Sequence, residues 1–401
     1  MRHRVSKHIL LLMADVWNVF TGELRAVFRD PGVMIIFFLA GLAYPVIYNL
    51  LYWNDDLEDI PVAVVDLSCS QESRDFIFKW EATPEVKITH VCTSMDEAQR
   101  LMRDQKVHGI IYFPPEFAKD LASLRTAHIS LYSDMSSFLY MKGVYMSANK
   151  VMLGEMRSIE IRRYEATGMA APIAETLAQA VPYEDVSLFV PSGGYSSFLI
   201  PPILILILHQ TLFFGICMRG GVAREEHNNL FVIPGRPRSV STLRIIGGRA
   251  LAYFCIYMVL SPIVLLVVPC LFHLPHVGNT WDIMRFMVPF LLATIFFSMT
   301  ISVFIRNRET GMVTLLASSL IFFFISGISW PQPCIPKAWQ YLSYTIPSTF
   351  GMHGYVHMNS MGATLGTIAK EYHGLWILTG IYFLTACLSL NLLAHVVRKK
   401  E

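Results

Sequence analysis

The sequence predicts an α-helical integral membrane protein with six transmembrane helices, an N-terminal interfacial helix and an extracytoplasmic α/β domain inserted between the first two crossings. Three observations lead there. Hydrophobic residues make up 54% of the chain and charged ones only 15%, well outside the range of soluble domains. Mean hydropathy is correspondingly high, at +0.46. Apolar runs long enough to cross a bilayer recur along the chain, and between the first two lies a long stretch patterned like alternating strands and helices. The formal net charge of +2 is not gathered on one soluble face, so nucleic acid is excluded as a partner.

The opening stretch, residues 1–32, reads as an amphipathic helix. Ile9, Met13, Val16, Phe20, Leu24, Val27 and Phe28 recur at helical spacing, with Asp15, Asn18, Arg25 and Arg29 on other faces. Asp30-Pro31-Gly32 then stops it. Two placements fit the pattern: lying in the cytoplasmic interface with Phe20 and Val27 in lipid and Glu23, Arg25 and Arg29 facing water, or packing on the bundle. No small-residue cleavage site follows Ile9–Met13, so a cleavable signal peptide is not expected.

The six spans are Val33–Trp53, Tyr195–Met218, Ala250–Phe272, Phe286–Ile305, Gly311–Trp330 and Leu375–Val397. As helices, each covers the roughly 30 Å of a hydrocarbon core. Their even number puts both termini on one side, and the basic residues say which. Arg2, Arg4, Lys7, Arg25 and Arg29 precede span one, six arginines lie in Arg219–Arg249, Arg306 and Arg308 sit in the fourth-to-fifth turn, and Arg398, Lys399 and Lys400 follow span six. The opposite loops offer little beyond Lys337 and Lys370. By the positive-inside rule the termini are cytoplasmic and residues 54–191 lie outside.

That outer insert contains strand-like Pro61–Asp66, Val86–Val91, His108–Pro114 and His128–Asp134, with helical patterns between them. Ser94-Met95-Asp96-Glu97 has the form of a capping box. A long helical pattern runs from about Ser136 to Ala166. The seven cysteines show no metal-ligand spacing, and a Cys69–Cys92 disulfide is left open. Asp66, Glu116, His108 and Asp134 read as strand-end and cap residues rather than an acid–base site.

Among the remaining polar residues, His209 and Gln210 lie inside span two, where polar groups are costly. Interhelical hydrogen bonding and a place on a translocation path both account for them. His353 and His357 fall at i, i+4 beside Met352, Met358 and Met361, but no carboxylate or Cys completes a metal set, so no metal is expected there. Pro331, Pro333, Pro336 and Pro347, among Trp330, Trp339 and Tyr341, exclude one regular helix, and residues 331–372 read as a re-entrant region.

Four stretches carry a resemblance to permease subunits of the type-2 ABC exporter class, in the branch with a large extracytoplasmic domain between spans one and two. "ELRAVFRDP" (Glu23–Pro31) resembles that family's interfacial helix. "IPVAVVDLSCSQESRDF", "MDEAQRLMRDQKVHGIIYFPPEFAKDL" and "ISLYSDMSS" resemble its ectodomain. "AREEHNNLFVIPGRP" resembles its cytoplasmic coupling segment, here within residues 219–249, and "GISWPQPCIPKAWQYLSYTIPSTFGMHGYVHMNSMGATL" resembles its re-entrant region. The coupling segment departs from the commoner Arg-Glu-x-Glu form in reading Arg-Glu-Glu-His at Arg224–His227, which leaves open whether Glu225 or Glu226 faces a partner.

The resemblance implies a non-enzymatic permease of a bacterial inner-membrane exporter. It implies ATPase coupling through Glu23, Arg25, Arg29, Arg224, Glu225, Glu226, Asn228 and Pro234. The chain lacks a G-x-x-x-x-G-K-[ST] phosphate loop, so it binds no cofactor of its own, and ATP and Mg belong to a separate ATPase subunit. A second permease, identical or a sister chain, would complete the pathway, with membrane lipid around it and a periplasmic adaptor as a further partner. An apolar pathway suits amphiphiles such as lipids or hydrophobic drugs. The rival reading is a membrane-anchored extracytoplasmic sensor or scaffold, which has no need of a coupling segment.

Overall fold

A computed structural model describes residues 2–53, 57–123, 125–178, 188–189, 194–225 and 242–398. The chain divides into two compact units: residues 1–53 with 188–401, and residues 54–187.

The first unit is a helical bundle. Helix α1 (Arg2–Arg29) leads into α2 (Pro31–Leu51). At the joint Asp30 acts as the N-cap of α2, its Oδ1 accepting from the Gly32 and Val33 amides at 3.0 and 3.3 Å, while Pro31 takes the first helical turn. The break read from Asp30-Pro31-Gly32 is therefore a cap. The helix α2 is joined in the bundle by α8 (Tyr195–Glu225), α9 (Thr242–Leu271), α10 (Thr280–Ser302), α11 (Arg308–Ile325) and α14 (Ala369–Arg398). These six are the helices long and apolar enough to cross a membrane among the described residues. Each overlaps one of the six predicted spans, with ends shifted by up to about eight residues, as where α9 begins at Thr242 rather than Ala250.

Burial sorts the six helices. Most residues of α8 are buried, including nearly all from Leu199 to Met218, as expected of a helix that is apolar all round and lies at the centre of a bundle. By contrast α14 exposes Ile377, Ile381, Leu384, Leu388 and Leu392, one stripe at helical spacing, and α11 exposes Val313, Leu320, Ile321 and Phe324. Such unpartnered apolar stripes are what hydrocarbon covers. Gly215 of α8 lets the ring of Phe37 approach from α2, since an added Cβ would stand 1.8 Å from it.

Residues 331–372, expected to be re-entrant, are mostly helical. After a 3₁₀ turn at Gln332–Cys334 come α12 (Lys337–Ser343) and α13 (Pro347–Met361). The prolines break the chain before α13, and Pro347 then occupies its first turn, where no amide is needed. One side of α13 is buried in the bundle: Gly351 and Gly354 face the rings of Phe290 and Phe286. Its far end is stapled to the α9–α10 connection. The Asn359 amide donates to the Pro275 carbonyl at 3.1 Å, and His276 Nδ1 lies 2.5 Å from Asn359 Oδ1. In α9 a π-helical turn, Ile263–Val267, displaces the regular bonding, and the Tyr355 hydroxyl donates to the Leu265 carbonyl there at 2.9 Å.

The second unit is α/β. Strands β1 (Ile60–Asp66), β2 (Val86–Cys92), β3 (Gly109–Phe113) and β4 (Ser130–Ser133) form one sheet in the order β2-β1-β3-β4, with only the β3–β4 pair antiparallel. All four predicted strands are present. Alternation along β1 sends Val62 and Val64 to one face, against α3 (Gln71–Glu81) and α6 (Phe138–Ala166), and Ala63 and Val65 to the other, against α4 (Met95–Arg103). Short helices α5 (Phe117–Ala122) and α7 (Ala171–Ala178) complete the unit. Ser94 Oγ caps α4 by accepting from the Glu97 amide at 3.3 Å, but Glu97 returns its bond to the Thr93 amide rather than to Ser94. Cys69 and Cys92 are both free thiols.

Candidate coupling site at the base of the bundle

The site is built on α1. Asp15 and Glu23 of α1, and Asp30 just past its end, recur at eight- and seven-residue spacing, which puts them on one side, and all three are buried at 2%, 7% and 8% exposure. This face meets the bundle. Val27 lies beside them in the bundle core, and Gly248 of α9 admits Val16 and Val19, an added Cβ there standing 2.6 Å from Val19.

Each acid meets an arginine from a different part of the chain. Arg244 Nη1, in the first turn of α9, donates to Asp15 Oδ2 at 2.7 Å. Glu23 lies 3.3 Å from Arg249 Nε and 3.6 Å from Arg219 Nε, and accepts the Tyr253 hydroxyl at 2.5 Å. Arg308, which opens α11, donates Nη2 to both oxygens of Asp30 at 3.2 and 3.0 Å. Burial on its own would raise the Glu23 carboxyl, but Arg249, Arg219 and the Tyr253 hydroxyl outweigh it and hold it below its ordinary value. The acidic face of α1 is thereby clamped to α8, α9 and α11 at once.

The charged stretch that begins at Arg219 is knitted into the same region as far as the described residues extend. Gly220 and Gly221 let α8 touch the α10–α11 turn: an added Cβ on Gly221 would stand 2.7 Å from the Asn307 carbonyl. Arg224 donates Nη1 to the Ile305 carbonyl at 2.7 Å and Nη2 to the Val303 carbonyl, satisfying groups left unpaired just past α10. The Glu225 carboxylate accepts the Arg308 amide at 2.8 Å, at the N-terminus of α11, where the helix dipole favours an anion. Asn307 caps that same turn.

Against expectation, then, Glu23 does not face water, and Val27 does not face lipid. Helical periodicity marked α1 as a helix but not its faces: Val16 and Val27, read together with Met13 and Phe28, lie on the packed side with Asp15 and Glu23, while Met13 and Phe28 are exposed. The acids on the packed side are neutralised by arginines and belong inside. Arg25 and Arg29 are exposed as expected, while Phe20 is half-buried. Met13, Trp17 and Phe28 are exposed on the outer side. Arg224 is half-buried and bonded within the chain, and Glu225, though exposed, is turned to Arg308. Glu226, Asn228 and Pro234 lie outside the described residues. Asp15, Asp30, Arg219, Arg244, Arg249 and Arg308 were missed as a group. Acids at helical spacing, answered by arginines at the ends of spans, are the signal that points to them.

A family model described as ABC-2 family transporter protein matches residues 31–388. The chain belongs to this family. No curated protein matches it. As an ABC-2 protein it is a multi-pass membrane subunit of an ABC transporter, and the clamped base joins the helix before the first span to three of the others.

Elsewhere in this ABC-2 chain the other predicted site residues separate. His209 and Gln210 are buried in α8, and among the described residues none of their side-chain nitrogen and oxygen atoms has a hydrogen-bond partner. The interhelical hydrogen bonds expected of them are absent among the described residues. His353 and His357 share a face of α13, their ring centroids 6.5 Å apart, but His353 Nε2 donates to the Ser326 carbonyl at 2.8 Å. Among the described residues no three His, Cys, Asp or Glu side chains converge as a metal site. In the α/β unit, His108 Nδ1 donates to Asp134 Oδ2 at 2.9 Å under the stacked ring of Tyr140. Bonds from Ser136, and then from His108, lower the Asp134 carboxyl to about 2. Asp66 caps the turn after β1 through the Ser68 and Cys69 amides, both at 3.0 Å.

Proposed function

We propose that this chain is the permease of an ATP-driven exporter, converting the closure of a separate ATPase subunit into movement of its spans. The reading is carried by the clamped base. A rigid-body push on α1 or on the end of α8 is delivered through ion pairs to α9 and α11, so one docking event is felt by several spans together. Both termini and this base are cytoplasmic, in the inner membrane of a bacterium, and residues 54–191 stand outside. The surface offered to the ATPase includes the exposed edge of α1 with Arg25 and Arg29, to which the resemblance of the coupling segment adds Glu226, Asn228 and Pro234. Glu23 and Arg224 act behind that surface, transmitting rather than touching, and Glu225 stands exposed at its edge, turned to Arg308. Charge pairs at such a surface set register and partner choice more than affinity.

ATP and Mg are used by the ATPase. A second permease, another copy or a sister chain, completes the pathway, and a periplasmic adaptor extends it. The cargo is an amphiphile, a lipid or a hydrophobic drug.

Affinity purification of the full chain from membranes tests this. A subunit with a phosphate-loop sequence is expected to copurify and hydrolyse ATP. Reversing charge in the double variant Arg25→Glu, Arg29→Glu is expected to reduce its recovery while membrane insertion is unchanged. Undiminished recovery overturns the docking surface. Absence of any ATPase overturns the permease reading in favour of an anchored sensor or scaffold.

A further inference from the structure

His209 lies near the middle of α8 and is fully buried. Its imidazole is surrounded by rings: Phe213 on its own helix at 6.2 Å between centroids, Phe297 of α10 at 5.8 Å and Phe322 of α11 at 5.6 Å. Gln210 is buried next to it. Both nitrogens of the imidazole and both polar atoms of the amide lack hydrogen-bond partners among the described residues. Buried polar side chains are nearly always bonded, and within hydrocarbon depth an unbonded pair is costly. A purely structural role predicts partners for these groups, and none is present among the described residues.

The walls of this cage differ in how firmly they are held. The α8 wall is buried along most of its length, and α10 is packed on most of its faces. The α11 wall is the loose one, exposing Val313, Leu320, Ile321 and Phe324. Its lower end, Arg308, is gripped by Asp30 and Glu225. Just past its upper end, Gly327 holds a left-handed φ of +88°, where a side chain would be strained and would crowd Gln332. The one displaceable wall of the cage is thus the helix whose foot belongs to the coupling site.

We propose that His209 lines the cargo path behind α11, with Gln210 next to it in the chain as a second polar group, and that they hydrogen-bond the polar group of a cargo whose apolar body lies on Phe213, Phe297 and Phe322. This rests on the permease reading. When the base is pushed, α11 tilts at Gly327, Phe322 withdraws, and the polar pair meets water and cargo. In the unpushed arrangement the pair has no partner among the described residues, and the open state, which offers it water and cargo, is favoured to that extent.

The ATPase-bound complex in lipid nanodiscs tests this, with the seven native cysteines replaced. His209→Cys, at the position that Phe322 covers, is probed with the water-soluble thiol reagent 2-aminoethyl methanethiosulfonate. Labelling is expected to be slow without nucleotide and roughly tenfold faster during ATP hydrolysis. Labelling that is equally slow in both states overturns the proposal. A second readout covers variants that assemble poorly. His209→Leu or Gln210→Leu is expected to raise the melting temperature of the complex while weakening transport of a fluorescent lysophospholipid. A lowered melting temperature in both variants shows that the pair is structural and also overturns it. A complex that holds its ATPase and hydrolyses ATP yet fails these tests loses only this proposal; one with no ATPase loses the permease reading as well.

Discussion

Glu23→Gln removes the charge at the centre of the clamped base while leaving an amide able to accept the Tyr253 hydroxyl. Two guanidinium groups, Arg249 at 3.3 Å and Arg219 at 3.6 Å, then lose their common counter-charge. Removing one partner of a fully buried ion pair costs about 3–5 kcal/mol. The arginine side chains retain 15% and 23% exposure, so solvent recovers part of that. A loss of about 3 kcal/mol is expected. Reversible unfolding by SDS in mixed micelles, followed by fluorescence of the seven tryptophans, reads it. The double variant Glu23→Gln, Arg249→Gln closes a cycle, and a coupling of about 1–3 kcal/mol is expected. The pH dependence has a definite sign. Because Glu23 is held below its ordinary 4.5, its contribution is complete above that value and is lost as pH falls through the lowered one. The gap between wild type and Glu23→Gln is therefore level near neutrality and narrows in acid below 4.5. A variant within about 0.5 kcal/mol of wild type, or a cycle with no coupling, refutes the clamp.

Gly221→Ala places a methyl against the Asn307 carbonyl carbon and oxygen, both 2.7 Å away, so α8 must separate from the α10–α11 turn. About 1–3 kcal/mol of destabilisation by SDS unfolding is expected, and wild-type stability would show that the contact has slack. Lys119→Cys, exposed on α5, is expected to react with an impermeant maleimide on intact cells. Labelling only after lysis reverses the topology.

Much of the architecture was legible because it is written in local period and length. The α/β unit announces itself through Pro61–Asp66 and His108–Pro114, and the spans through uninterrupted apolar runs. The candidate coupling site was legible only in part. Asp15 and Glu23 sit on a helix where a polar residue ordinarily marks the wet side, and the partners that invert this reading lie far along the chain. Arg244, for instance, stands 229 residues from Asp15. Gly351 and Gly354 likewise look like helix breakers until Phe286 and Phe290 are seen to need the space. Long-range pairing of this kind has no local period to read.

The pairing of Asp30 with Arg308 spans 278 residues, and this has a consequence for biogenesis. The helix α1 is synthesised before the crossings it docks to, and its acids find their arginines only as the second, third and fifth crossings arrive. Until then its acids remain in water, which they tolerate, while Met13, Trp17 and Phe28 give it an apolar side with which to wait at the membrane surface. Docking of the first helix is thus a late step of assembly. A nascent chain arrested before Arg308 leaves Asp30 without its counter-ion, so the quality of the base reports whether the fifth crossing has been delivered.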